Sequence, residues 1–126
     1  MEFKETQAIF LQIATYVCEQ ILLGRWSEGD RILSVREMGA ALEVNPNTVI
    51  RTYEFLQNKE IIFNKRGVGY FINENAEQKI IEFRRKEFLE QELPLIFKNM
   101  KLLGMTLEAF DKEYNNYLNS KSNENK

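Results

Sequence analysis

The sequence predicts a mainly α protein with a small β-hairpin, and three observations carry that prediction. Apolar residues recur at helical spacing in several separate stretches. A Ser34-Val35-Arg36-Glu37 capping box stands a few residues before an Asn45-Pro46 helix start. Two β-prone runs closed by a glycine-bearing loop follow directly after.

In chain order, residues 6–23 place Phe10, Ile13, Ala14, Val17, Cys18 and Ile21 at offsets of 3, 4, 7, 8 and 11, one stripe of an amphipathic helix that Gly24 stops. Trp26 lies in a short connector, Glu28-Gly29-Asp30 reads as a turn, and Arg31-Ile32-Leu33 as a short extended segment. The capping box then opens a second helix to about Leu42, with Met38, Ala41 and Leu42 inward. Asn45 caps a third helix from Pro46 to about Asn58, whose apolar stripe is Val49, Tyr53 and Leu56. Two short helices joined by a tight turn form a helix-turn-helix. The runs Ile61–Lys65 and Gly69–Asn73, joined by Arg66-Gly67-Val68, make a hairpin, which in that place is a wing. The fold predicted is therefore a winged helix-turn-helix over residues 1–75, followed by a helical dimerisation region over 76–120 and a disordered polar tail over 121–126.

In the second region Leu89, Leu93, Ile96, Met100 and Leu103 alternate spacings of 4 and 3, the pattern of a helix-helix seam. Pro94 kinks or splits that helix, Gly104 ends it, and Thr106 caps another carrying Leu107, Phe110, Tyr114, Tyr117 and Leu118. So much apolar helix face on so few residues points to self-association, with packing on the winged portion as the alternative.

Chemistry is bounded by what the 126 residues lack. Histidine is absent and Cys18 is the single cysteine, which removes histidine-based nucleophile arrangements, intrachain disulfides and the usual zinc sites. With no EF-hand-like loop and no Gly-rich phosphate loop, neither an enzyme nor a cofactor is expected. No apolar run reaches membrane-spanning length and the amino terminus lacks signal-peptide order, so a cytoplasmic location without membrane contact is expected. The net charge of -2 gives no global attraction for nucleic acid, although residues 31–66 hold six basic side chains against four acidic ones.

The stretch from Ile9 to Ile72 closely resembles the amino-terminal domain of GntR-family bacterial transcription regulators. The resemblance rests on Gly29-Asp30-Arg31, Ser34-Val35-Arg36-Glu37, Val44-Asn45-Pro46-Asn47-Thr48-Val49 and Arg66-Gly67-Val68-Gly69, in the family's order and spacing. The short carboxyl-terminal part looks like the YtrA subfamily, whose members resemble dimeric repressors often encoded with ABC transporters. The chain departs from the family at Ile32-Leu33-Ser34, where Leu-Pro-Ser is usual, and at Glu43 and Glu60, where glycine is usual.

The resemblance implies a DNA-binding regulator: a homodimeric repressor on a palindromic operator in double-stranded DNA. By that carry-over Ser34 and Arg36 at the start of the second helix bind DNA, Arg36 through a guanine edge or phosphate, and Asn45, Asn47 and Thr48 face base edges or phosphates. Arg51 serves the backbone unless it pairs with Glu54, while Lys65, Arg66 and Gly67 reach phosphates or a minor groove. A solvated turn is the alternative for the wing tip, and a protein-interaction module without DNA binding is the alternative for the whole. The sequence leaves the effector open. About 50 carboxyl-terminal residues leave little room for a metabolite cavity of roughly 300 Å³ or more, so no buried small-molecule site is expected within one protomer.

Overall fold

The structure, a computed structural model, describes residues 1–124, which divide into two compact units, residues 1–84 and the residues from 85 onward. The first contains α1 (Ile9–Leu22), α2 (Val35–Leu42), α3 (Pro46–Asn58), β1 (Ile62–Lys65), β2 (Gly69–Ile72) and most of α4 (Ala76–Glu87).

The α1 stripe packs as its spacing requires, with Ile13, Ala14, Val17, Cys18 and Ile21 buried and Phe10 half-buried. The helix starts at Ile9 because the residues before it are held otherwise. Gln12 Oε1 accepts from the Lys4 amide at 2.8 Å, and Gln12 Nε2 donates to the carbonyls of Lys4 and Gln7 at 2.7 and 2.8 Å. Burial pushes the Cys18 thiol up to about 12, so it stays protonated and serves as packing.

Ser34 caps α2 as the sequence indicates: its Oγ accepts from the Glu37 amide at 3.1 Å, and Glu37 Oε1 accepts from the Ser34 amide at 3.0 Å. The inward stripe loses one member and gains two. Ala41 is exposed, and Val35, Met38, Gly39 and Leu42 face the core, because at offsets of 3, 4 and 7 they lie on one side of the helix. Gly39 is a close-approach site, since a Cβ there would stand 3.0 Å from the Val44 carbonyl oxygen.

Glu43 turns the chain out of α2 at φ 56° and ψ 47°, and Glu60 leaves α3 at φ 61°. Both are left-handed, which accounts for the glycine that the resembled family favours at these two positions. Glu43→Gly is expected to raise stability by up to about 1 kcal/mol, read as a higher urea midpoint with an unchanged slope. A lower midpoint would mean that the Glu43 side chain contributes more than its backbone strain costs.

In α3, Val49, Tyr53 and Leu56 are fully buried, as is Thr52, which the apolar pattern omits. The Thr52 Oγ1 lies 3.0 Å from both the Phe10 and Thr48 carbonyl oxygens, so a polar side chain ties α1 to α3 without an unpaired hydroxyl. The hairpin pairs antiparallel with Ile62 opposite Ile72 and Lys65 opposite Gly69. On the other edge of β2, Arg31 bridges Phe71, while the Ile32 amide donates to Tyr70 and the Ile72 amide to Asp30, each at 2.9 Å. This backs the extended segment before α2 onto the two-stranded sheet through one isolated bridge and its flanking hydrogen bonds.

The core does not end at residue 75. Ala76 and Ile80 of α4 are buried within it, and Lys79 Nζ lies 3.0 Å from Glu60, so the first unit runs to Arg84.

The second unit contains a π-helical segment, Phe88–Glu92, then α5 (Leu93–Leu102) and α6 (Leu107–Glu124). The Leu93 amide bonds to Phe88, and Pro94 falls in the first turn of α5, so the helix is widened and restarted where proline removes a donor. Gly104, at φ 67°, ends α5, and Thr106 Oγ1 accepts from the Ala109 amide at 3.1 Å to start α6. Of the expected seam, Leu93, Ile96 and Met100 are half-buried, and Leu89 and Leu103 are exposed. The disordered tail expected from residue 121 is corrected as far as Glu124, which α6 includes; residues 125 and 126 lie outside the described residues. Extending an existing helix adds a hydrogen bond for each residue fixed, so polar residues can continue it without a packing face.

Candidate nucleic-acid interface

Three places on the first unit hold the side chains that the sequence singles out. At the start of α2, Val35 turns inward and Arg36 is exposed. The neighbouring carboxylate is occupied: Glu37 is held below the usual carboxylate range by the hydrogen bond from the Ser34 amide, then by the Ser34 hydroxyl, with a smaller contribution from Arg31. Among the described residues no ion pair ties up Arg36. Ser34 itself is half-buried, and its oxygen is spent on the cap.

At the start of α3, Asn45, Pro46 and Asn47 are exposed and Thr48 is half-buried. The helix start does not offer free amides there. Asn45 Oδ1 accepts from the Asn47 amide at 2.8 Å, and the Asn45 carbonyl accepts from the Thr48 amide at 2.9 Å. What it offers outward is the side-chain Nδ2 of Asn45, the side chains of Asn47 and Thr48, and the positive end of the helix dipole.

Arg51, one turn further on, is exposed, and its guanidinium carbon sits 4.0 Å from the centre of the Phe10 ring. Among the described residues no ion pair joins it to Glu54. The cation-π stack orients the guanidinium while leaving its charge in place. Phe10 is the residue that sequence reasoning missed in this role; helical spacing marks it only as part of the α1 stripe, because the contact joins residues far apart in the chain.

The wing tip places Lys65, Arg66 and Gly67 in solvent, with Gly67 at φ 79° and the Val68 amide bonded to the Lys65 carbonyl at 2.9 Å. The strand order joins this tip to α2. The segment before α2 runs antiparallel to β2, so it travels toward the Gly69 end of that strand and delivers Ser34 and Arg36 beside the wing. The interface therefore combines exposed cations at two neighbouring places with uncharged hydrogen-bonding side chains at the start of α3. That combination suits a polyanion that also carries base edges.

Among the described residues no group of three or more histidine, cysteine, aspartate or glutamate side chains could hold a metal ion, and no helix is long and apolar enough to cross a membrane.

The family described as bacterial regulatory proteins, gntR family, matches residues 10–72. The uncharacterized HTH-type transcriptional regulator YhcF of Bacillus subtilis is 36% identical over 107 residues, 85% of this chain and 87% of that protein. The HTH-type transcriptional repressor YtrA of the same organism is 36% identical over 105 residues, 83% of this chain and 80% of that protein. A crystal structure of a GntR-family protein from Bacteroides thetaiotaomicron superposes with a TM-score of 0.79 at 40% identity, covering 90% of this chain and 99% of that one. With a helix-turn-helix whose two helices are side-chain capped, a wing and these relatives, the chain belongs to the GntR family of bacterial regulators, as a YtrA-like DNA-binding transcription regulator.

Proposed function

We propose that the protein is a dimeric repressor that binds a palindromic operator in the cytoplasm, with α3 in the major groove and the wing at the minor groove. The observation that carries this reading is the uncommitted Arg36 at the start of α2 together with an exposed cationic wing tip, both on the unit that also presents Asn47 and Thr48. In it, Arg36 takes a guanine edge or a phosphate. Asn45, Asn47 and Thr48 face bases or phosphates, and Ser34 holds the start of α2 in place. Arg51 meets the backbone from its Phe10 platform, and Lys65 and Arg66 flank the minor groove, which Gly67 allows the chain to approach closely.

Dimerisation is supported by the second unit, where Leu102, Leu103 and Leu107 are 72%, 80% and 74% exposed, with Leu95, Phe97 and Tyr117 also more than half exposed. Leaving such residues in water is costly for a unit this small, and a second copy can cover them. Repression is supported by the relative whose name is a transcriptional repressor. Control of an ABC transporter operon rests on the subfamily resemblance alone.

Nuclease protection on the DNA upstream of the protein's own gene tests the reading. Two equal protected half-sites about one helical turn apart, together with a dimeric mass in sedimentation, are expected. A single asymmetric footprint from a monomer would overturn the palindromic dimer, and salt-insensitive retention on DNA would favour a protein-docking winged helix instead.

A further inference from the structure

The outward face of the wing carries a feature that neither the helix-turn-helix nor the tip accounts for. Arg31 bridges Phe71, so its side chain leaves the sheet on the same side as Phe71, Phe63 and Gly69, opposite to the buried Ile62 and Ile72. The Phe63 and Phe71 rings stack there, with centres 5.7 Å apart and planes 22° from parallel, giving that face a firm floor. Beside them the Arg31 side chain lies directly over Gly69. A Cβ at that position would stand 2.9 Å from Arg31 Nε and 3.5 Å from its Cζ and Nη2. Gly69 also adopts φ +141°, a conformation that side chains rarely take. The backbone at 69 is thus bare on the side where the guanidinium rests.

Arg31 is exposed, and the acid that faces it is already engaged, since Glu37 Oε1 accepts from the Ser34 amide. Among the described residues no ion pair consumes the Arg31 charge. Its position is between the first turn of α2, which holds Arg36, and the wing strands, which lead to Lys65 and Arg66. A rigid, flat cation with several donors at such a junction suits a phosphodiester oxygen.

We propose that Arg31 is an additional DNA-backbone contact, laid across Gly69 so that the start of α2 and the wing grip one continuous run of phosphates. The inference rests on DNA binding by the first unit and assigns Arg31 a contact that the family resemblance does not give it. It also gives Gly69 a purpose distinct from that of Gly67: one glycine lets the tip turn, and the other leaves room for an arginine.

The test uses the full-length chain and two duplexes of equal length, one from upstream of its own gene and one unrelated, titrated by fluorescence anisotropy over a salt series. Arg31→Ala is expected to lower affinity for both duplexes alike and to reduce the slope of log K against log salt by about 1 for each protomer bound. Arg31→Lys should keep most of that slope because the charge is kept. Gly69→Ala should reproduce the loss in the wild-type background and add less to it in the Arg31→Ala background. Thermal midpoints are read alongside, and Arg31→Gln supplies a second charge-free variant if alanine disturbs the sheet.

Unchanged salt slopes in Arg31→Ala and Arg31→Gln, with wild-type binding intact, would overturn the inference and leave the DNA-binding reading standing. Absence of salt-sensitive binding by the wild type would overturn both.

Discussion

Tyr53→Ala is expected to cost about 3–5 kcal/mol, a large part of the roughly 5–15 kcal/mol by which a domain is stable. Tyr53 is fully buried, its hydroxyl donates to the Leu33 carbonyl at 2.6 Å, and its ring meets Tyr70 edge-on at 4.7 Å. One side chain therefore joins α3, the segment that leads into α2, and β2 of the wing. Removing it opens a cavity at the point where the three parts of the interface are held in register. Tyr53→Phe keeps the ring and loses only the hydrogen bond, so about 1 kcal/mol is expected. Urea denaturation of both variants, followed by circular dichroism, checks the contrast. Equal losses would mean that the hydroxyl, and not the ring volume, sets the cost.

Tyr53 carries a pH signature as well. Burial raises its pKa above the ordinary tyrosine value, and burial does the same to the Cys18 thiol. A group raised in the folded state keeps its proton where the unfolded chain releases it. Its contribution is therefore fully present below the unfolded pKa and is lost as pH climbs beyond that value. Stability should thus decline above about pH 9, where free thiols and then phenols ionise, and Tyr53→Phe should remove the tyrosine part of that decline.

The parts of the fold that can be read from the sequence are those decided within a few residues. The Ser34–Glu37 box and the Asn45-Pro46 start close their hydrogen bonds over two or three positions, so the beginnings of α2 and α3 are local facts. The hairpin is likewise set by Gly67 and the β-prone runs on either side of it. What escapes is decided by partners distant in sequence. Ala41 is as apolar as its neighbours, and only the direction in which α2 meets the core turns it outward. Ala76 and Ile80 look like the beginning of the next helical region until their burial assigns them to the first core. The same limit applies to the interface. Residue type and position mark Arg36, Asn47 and Arg66, whereas the stacking of Arg51 on Phe10 is invisible without the packing of α1 against α3.

Arg36→Ala is expected to weaken binding to the natural operator by about 1–3 kcal/mol while leaving stability within about 0.5 kcal/mol. The second half of that expectation follows from its exposure and from the absence, among the described residues, of an ion pair that truncation could break. The first half follows from the geometry of a guanidinium at the start of a capped helix. The Ser34–Glu37 box fixes the backbone from which Arg36 projects, and among the described residues no ion pair holds Arg36, so the fork meets DNA without first having to leave one. Arg36→Lys separates the two roles open to it. If the guanidinium takes a guanine edge with two parallel hydrogen bonds, lysine keeps the charge but loses the fork. Discrimination between operator and unrelated duplex then falls almost as far as with alanine, while the salt slope is largely preserved. If Arg36 clamps phosphate instead, lysine rescues affinity for both duplexes and only alanine flattens the slope. Competition anisotropy with the two duplexes distinguishes these outcomes. An Arg36→Ala protein that binds its operator as tightly as the wild type would place the start of α2 away from the groove, and would require a different face of the winged unit to meet DNA.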